Sequence, residues 1–230
     1  MKKFGLDDIF SVKIICRASF APNIIYINPA DQTSNLELFA TLSHEGFPGH
    51  LYQTIYFLKT SPADIRTLIT SSGYVEGWAT YIESYGYQYA ARDLDDPAAT
   101  DYTRLVALNR RINLCIYSLL DIGIHYYGWD ETQAARLLQF FGITDAHVVS
   151  EIFQYIVETP ANYQKYCWGC LNFLDLKKEW KDTLGDDFNL KAFHNCPSLL
   201  WIDTFYTNLI KMLKPSCFRL CIRNYSCDLI

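Results

Sequence analysis

Two short stretches of this 230-residue chain carry side chains that could do chemistry together. The first is "HEGFPGH", residues 44–50. It opens like H-E-x-x-H, in which two histidines one helical turn apart bind zinc and the glutamate between them serves as a general base. Pro48 stands where the second histidine belongs, and the next histidine is His50. On an ideal helix, residues six apart point about 240° away from each other, so His44 and His50 cannot share a metal without a distortion. Pro48 supplies a reason for one: it lacks an N–H, and its ring presses on the carbonyl four residues back, that of His44. Gly49 then permits backbone conformations closed to other residues. A kinked or bulged turn at 48–49 would bring His50 to the face of His44. A helix that ends at Phe47, with His50 opening the next, would leave two unrelated histidines. The pattern alone leaves both readings open.

The second stretch is "GYVEGWATYIE", residues 73–83. Glu76, Thr80 and Glu83 fall at i, i+4 and i+7, along one helical face. Apolar and aromatic residues crowd that face, and a buried carboxylate needs a partner. Two histidines, one glutamate and a water form a familiar catalytic zinc set. The plainer alternative is that Glu76 and Glu83 pair with Arg66, Arg92 or Lys59 as solvated helix charges.

The elements that must position these residues are helices almost throughout. "NIIYIN", residues 23–28, is the main strand candidate, and as an edge strand it would suit pairing with an extended peptide. Ser34 and Glu37 have capping-box spacing before "LELFATLSHEGF". Ser61 and Pro62 read as N-cap and first position of a further helix, with Asp64 in its first turn. "SGYVEGWATYIESYGYQYAA" continues the helical pattern. "DDPAA" starts a long helix reaching about Tyr127, Asp130 with Gln133 caps the next, and Thr144 starts another short helix. A helix of some twenty residues around "YCWGC" closes at Gly185. The expected fold is mainly α, with one small strand region near residues 23–28.

Half of the residues are hydrophobic and 16% are aromatic, as suits a folded domain with a large core. A net charge of −5 gives no reason to expect a nucleic-acid partner. No apolar run is long enough to span a membrane, and the first twenty residues have no clean signal-peptide core. Of the eight cysteines, Cys16 and Cys115 are isolated, and Cys167 and Cys170 form C-x-x-C. Cys196, Cys217, Cys221 and Cys227 crowd the last 35 residues. No strand precedes the C-x-x-C, so its cysteines read as core residues one helical turn apart.

"LFATLSHEGFPGHLYQTIYF" and "GYVEGWATYIESY" resemble the bacterial family known as domain of unknown function 885, with its HE-x-x-PGH and EGWA-x-Y-x-E helices. The resemblance continues through "DIGIHYYGWDETQA", "ETPANYQKYCWG" and "LGDDFNLKAFH", from about residue 20 to 195. That family is similar to the helical zincin metallopeptidases of the thimet-oligopeptidase kind. The resemblance implies zinc as cofactor, a peptide substrate, metal ligands at His44, His50 and Glu76, and a general base at Glu45. Tyr166 becomes the first candidate for donating to an oxyanion and His125 the second, the latter reading equally as a core histidine. Arg110 and Arg111 are candidates for holding a substrate carboxylate or for surface salt bridges. His147 and His194 read as structural. Relatives are often exported or lipoprotein-anchored.

The chain also departs from the family. Members carry a large helical region before the motif, so one wall of the cleft is expected to lie outside this chain. Asn172 replaces an acidic residue. The segment from "NCPSLL" onward does not match the family's Gly-Pro- and leucine-rich close. Residues 1–195 therefore read as the helical zincin-like domain and 196–230 as a divergent, cysteine-rich tail. Deleting residues 200–230 should cost less than the several kcal/mol of removing a buried element. Thermal unfolding of the shortened chain checks this, and a larger loss would make the tail part of the core.

Overall fold

The computed structural model describes residues 13–14, 25–26, 34–59, 61, 64–68, 71–92 and 97–195. The cysteine-rich tail, Cys16 and most of the "NIIYIN" segment lie outside these. The described residues are mainly α-helical. Their strand pairing is antiparallel, between Lys13–Ile14 (β1) and Ile25–Tyr26 (β2). The helices run in order as Asn35–Glu45 (α1), His50–Lys59 (α2), Asp64–Leu68 (α3), Ser72–Arg92 (α4) and Pro97–His125 (α5). Then come Glu131–Phe140 (α6), Ala146–Glu158 (α7), Gln164–Leu184 (α8) and Leu190–Asn195 (α9).

Local chemistry sets many of the boundaries. Ser34 caps α1 and Asp130 caps α6, each in a reciprocal box with the residue three positions on, Glu37 and Gln133. Each box satisfies two backbone donors that would otherwise lack partners. Asp145 caps α7 by accepting from the N–H groups of His147 and Val148. Gly185, at φ 54°, ends α8 in a conformation that favours glycine.

Packing centres on α4, which lies against α8, α1, α5 and α2. One core cluster joins Tyr74, Trp78, Tyr81 and Ile82 of α4 to Phe173 and Trp180 of α8 and Phe193 of α9. Tyr81 stacks on Phe173 with ring centres 5.7 Å apart. Replacing one such buried aromatic by alanine typically costs about 3–5 kcal/mol. A second cluster joins Leu114, Ile116 and Leu120 of α5 to Leu138 of α6 and Val149, Ile152 and Ile156 of α7.

The α4–α8 contact is made by backbone. A Cβ at Gly77 would meet the Gly169 carbonyl carbon and its neighbours, and one at Gly169 would meet Gly73 O and Gly77 Cα. That approach sets α8, and Tyr166 with it, beside Glu76. Gly169→Ala should therefore destabilise the protein. Better helix propensity returns up to about 1 kcal/mol, but overpacking against immovable backbone costs about 1–3 kcal/mol or more. A denaturant midpoint at or above that of the parent would contradict this packing argument.

Candidate metal centre

The motif turn comes first. α1 ends at Glu45, and Gly46 closes it with its N–H on Leu42 O at 2.8 Å. The Phe47–Pro48 peptide is cis, and α2 begins at His50. The kinked or bulged helix expected from the sequence is thus a complete break between two helices. The chain folds back so tightly that a Cβ at Gly49 would collide with the carbonyl oxygens of His44 and Ser43. Trp78 Nε1 donates to Pro48 O at 3.0 Å and ties the turn to α4.

The break nonetheless brings the two histidines together. Their ring centres lie 4.8 Å apart, edge to face. Glu76 meets both: its Oε2 is 3.6 Å from His44 Nε2 and 3.3 Å from His50 Nε2. A carboxylate oxygen of Glu45 joins the cluster, within 4.8 Å of a ring nitrogen of each histidine. Donors held tetrahedrally at zinc-ligand bond lengths stand about 3.3–3.4 Å apart. The two Glu76 contacts are close to that spacing, and the donor set of His44, His50 and Glu76 is of a kind that could hold a zinc ion.

Glu83 supplies support. Its Oε2 is 3.2 Å from His44 Nδ1, and its Oε1 accepts from Arg110 Nε at 3.0 Å. With Nδ1–H donated to Glu83, His44 keeps its Nε2 on the side of Glu76. Such a carboxylate–histidine link fixes tautomer and ring orientation in metal sites. His50 has no matching support: its Nδ1 is buried and finds no partner among the described residues. Thr80 Oγ1, between the two glutamates on α4, is likewise buried without a partner among the described residues.

The electrostatics are those of a site rich in negative charge. Burial alone would depress the His44 pKa, but hydrogen bonds to Glu76 and Glu83 and the charges of Glu83 and Glu45 raise it from 6.5 to about 9. Burial opposes ionisation of Glu76, yet hydrogen bonds from both histidines hold it well below the usual carboxylate range. Burial opposes ionisation of Glu83 too, and the Arg110 charge with the His44 hydrogen bond holds it low. Glu45 goes the other way: burial raises it, and the histidines offset only part of that rise.

Tyr166 stands at the same centre. Its ring centre is 6.4 Å from that of His44, and it shares a hydrogen bond with Glu76. Burial and the Glu76 charge raise its hydroxyl pKa above the ordinary tyrosine value. Lys165, which the motif reading overlooked, places Nζ 3.8 Å from Glu76 Oε1 and over the Tyr166 ring.

Other candidates fall elsewhere. His125, the second candidate donor, has its Nε2 2.9 Å from Ile156 O and 3.4 Å from Asp121 Oδ1. These contacts fasten the end of α5 to α7, and none reaches the cluster. Arg110 forms a salt bridge with an interior carboxylate rather than on the helix surface, while Arg111 is exposed. His147 pairs with Glu151 at the surface, and His194 accepts or donates at Tyr81 Oη in the aromatic core. The Glu83–Arg110 pair was missed because its members lie 27 positions apart. The i+7 spacing of Glu76 and Glu83 pointed to one half of it.

Fold and site together define a helical domain with a partly buried histidine–glutamate cluster built across a broken helix. The chain belongs to the family described as "Bacterial protein of unknown function (DUF885)", which it matches over residues 19–196. It is similar to the crystal structure of a "putative lipoprotein" from Colwellia psychrerythraea, at 29% identity and a TM-score of 0.59 over 76% of this chain. It is also similar to the structure of a "putative lipoprotein of unknown function" from Shewanella oneidensis, at 25% identity and a TM-score of 0.59 over 80% of this chain. The matches cover 29% and 35% of those two chains, so this chain spans about a third of their length. No curated protein matches it.

The Glu83 pair generates a direct test. Arg110→Ala leaves a buried carboxylate without its cation and should cost about 3 kcal/mol, the lower end for a broken buried pair because Arg110 keeps some contact with solvent. Arg110→Lys should recover part of that loss. Chemical denaturation of both variants reads it, and an unchanged midpoint in Arg110→Ala would mean the pair contributes nothing.

Proposed function

We propose that the chain binds a zinc ion between His44, His50 and Glu76, and that it belongs to a zinc-dependent hydrolase, most directly a metallopeptidase. The supporting observation is a single carboxylate oxygen of Glu76 facing the Nε2 atoms of both histidines at 3.6 and 3.3 Å. The cluster joins three sequence segments, the end of α1, the start of α2 and α4.

Bound zinc would lower the pKa of a coordinated water towards neutrality and polarise the carbonyl of a peptide or other amide. The chain's own groups do the rest. Glu45 takes a proton from the attacking water and returns it to the departing amine. Its raised pKa brings that exchange closer to neutral pH. The Tyr166 hydroxyl donates to the carbonyl oxygen as negative charge develops there. Glu83, anchored by Arg110, holds the His44 ring in place. Lys165 balances part of the Glu76 charge. His125 has no role in this scheme.

A second reading is a degenerate homologue that binds metal or peptide without turnover. The description of the two similar chains as lipoproteins supports an exported or lipid-anchored setting for the protein. Among the described residues, no helix is long and apolar enough to cross a membrane.

Zinc stoichiometry and turnover separate the readings. Glu45→Gln should keep zinc near the parent level, because Glu45 is a base and not a ligand, and should lower hydrolysis of a mixed peptide library by about 10²–10⁴. Glu76→Gln should lose zinc affinity, with partial rescue by excess metal. Zinc without turnover in the parent supports the second reading. A parent without zinc overturns the first reading and leaves the second only as peptide binding.

A further inference from the structure

The C-x-x-C motif divides between two environments. Cys170 packs against the aromatic cluster of α4, α8 and α9, and Cys167 against the α5–α7 cluster. Across the helix boundary, Cys167 Sγ lies 3.9 Å from Cys115 Sγ on α5, 52 positions earlier in the chain. Cys115 is exposed and Cys167 is half-buried. The facing thiols are therefore on different helices, and the adjacent pair in sequence is a poor guide to reactivity.

We propose that Cys115 and Cys167 form a redox-active dithiol that a disulfide oxidant converts to a disulfide, stapling α5 to α8. The chemistry is thiol–disulfide exchange. The exposed Cys115 attacks as thiolate on one sulfur of the oxidant, forms a mixed disulfide and releases one thiol. Cys167 then attacks the Cys115 sulfur and expels the second thiol. The protein loses two electrons and two protons, and the oxidant becomes two thiols. Burial raises the Cys167 thiol pKa and disfavours it as the first attacker, while its position 3.9 Å from Cys115 Sγ makes the second, intramolecular step the one open to it.

The location gives the bridge a consequence. Cys167 directly follows Tyr166 on α8, and Cys115 follows Arg110 by little more than one turn on α5. A bridge there fixes the helix that carries the candidate proton donor against the helix that anchors Glu83. A Cys167–Cys170 bridge, confined to one helix, would fix nothing of the kind. Neither cysteine is a proposed zinc ligand, so the inference stands apart from the metal reading.

The test exposes the reduced full chain to glutathione disulfide, blocks remaining thiols by alkylation, and maps tryptic peptides by mass spectrometry without reduction. Peptides 112–136 and 166–177 should appear linked, and dithiothreitol should separate them. Cys167 and Cys170 share the second peptide, so Cys170→Ser is the discriminating variant. The link should persist in it and disappear in Cys115→Ser and Cys167→Ser. If Cys167→Ser does not fold, the exposed Cys115 position still supplies the loss. Oxidised Cys170→Ser should also melt higher than its reduced form, on the order of 5 °C or more for closure of a loop this long. Loss of the link in Cys170→Ser, a bridge within peptide 166–177, or a stable glutathione adduct on Cys115 would each overturn the proposal.

Discussion

A carboxylate buried among aromatic rings keeps its charge only if partners replace the water it has lost. Glu83 has two such partners, His44 of α1 and Arg110 of α5, while it sits on α4 itself. This one side chain therefore links three helices that are distant in sequence. Its position decides the rest of the centre. His44 Nδ1 is taken up by Glu83, so Nε2 is the nitrogen left for Glu76 and His50. The same helix presents its aromatic side to α8, and the Gly77–Gly169 contact lets α8 come close enough to set Tyr166 beside Glu76. Charge on one face of α4 and backbone proximity on another thus meet at one place.

Much of the scaffold was legible because its signals are local. The capping boxes at Ser34 and Asp130, the start of α5 near Pro97 and the glycine that ends α8 each depend on residues within a few positions. The "HEGFPGH" turn was legible in one respect only. Pro48 and Gly49 announced a disturbance, and convergence of His44 and His50 with Glu76 could be expected from it. Its form, a first helix that ends and a second that opens at His50, was the alternative the pattern left open, and the pattern did not show that the two histidines would converge across such a break. A kink keeps one helix, whereas the structure has two helices and a four-residue turn, held by Trp78 from 30 positions away.

What stayed hidden was every pairing that depends on tertiary placement. Arg110 looks like one more charge on a long helix, and only the packing of α5 against α4 shows that it faces inward. The role of His125 was open between donor and core residue, and its contacts are with Ile156 and Asp121 on the partly exposed end of α5. The C-x-x-C was correctly read as two packed cysteines, but the nearer partner of Cys167 belongs to another helix. Local spacing cannot register such a neighbour.

The balance of charge explains why this cluster suits a cation. Glu45, Glu76 and Glu83 lie close to the two histidines, with Arg110 and Lys165 as the facing cations. Neutral imidazoles would leave a net negative charge in a partly buried space; burial opposes a second proton on His44, but hydrogen bonds to Glu76 and Glu83 outweigh it and raise its pKa to about 9. A proton on Nε2 satisfies Glu76 but turns a potential ligand into a donor. A dication in the same place satisfies the carboxylate and both Nε2 lone pairs together, and it does so without displacing the Nδ1–H that Glu83 holds. In the proposed zinc site, metal and proton would compete for one position on the Nε2 side of His44, while Glu83 keeps the Nδ1 proton on the opposite side of the ring.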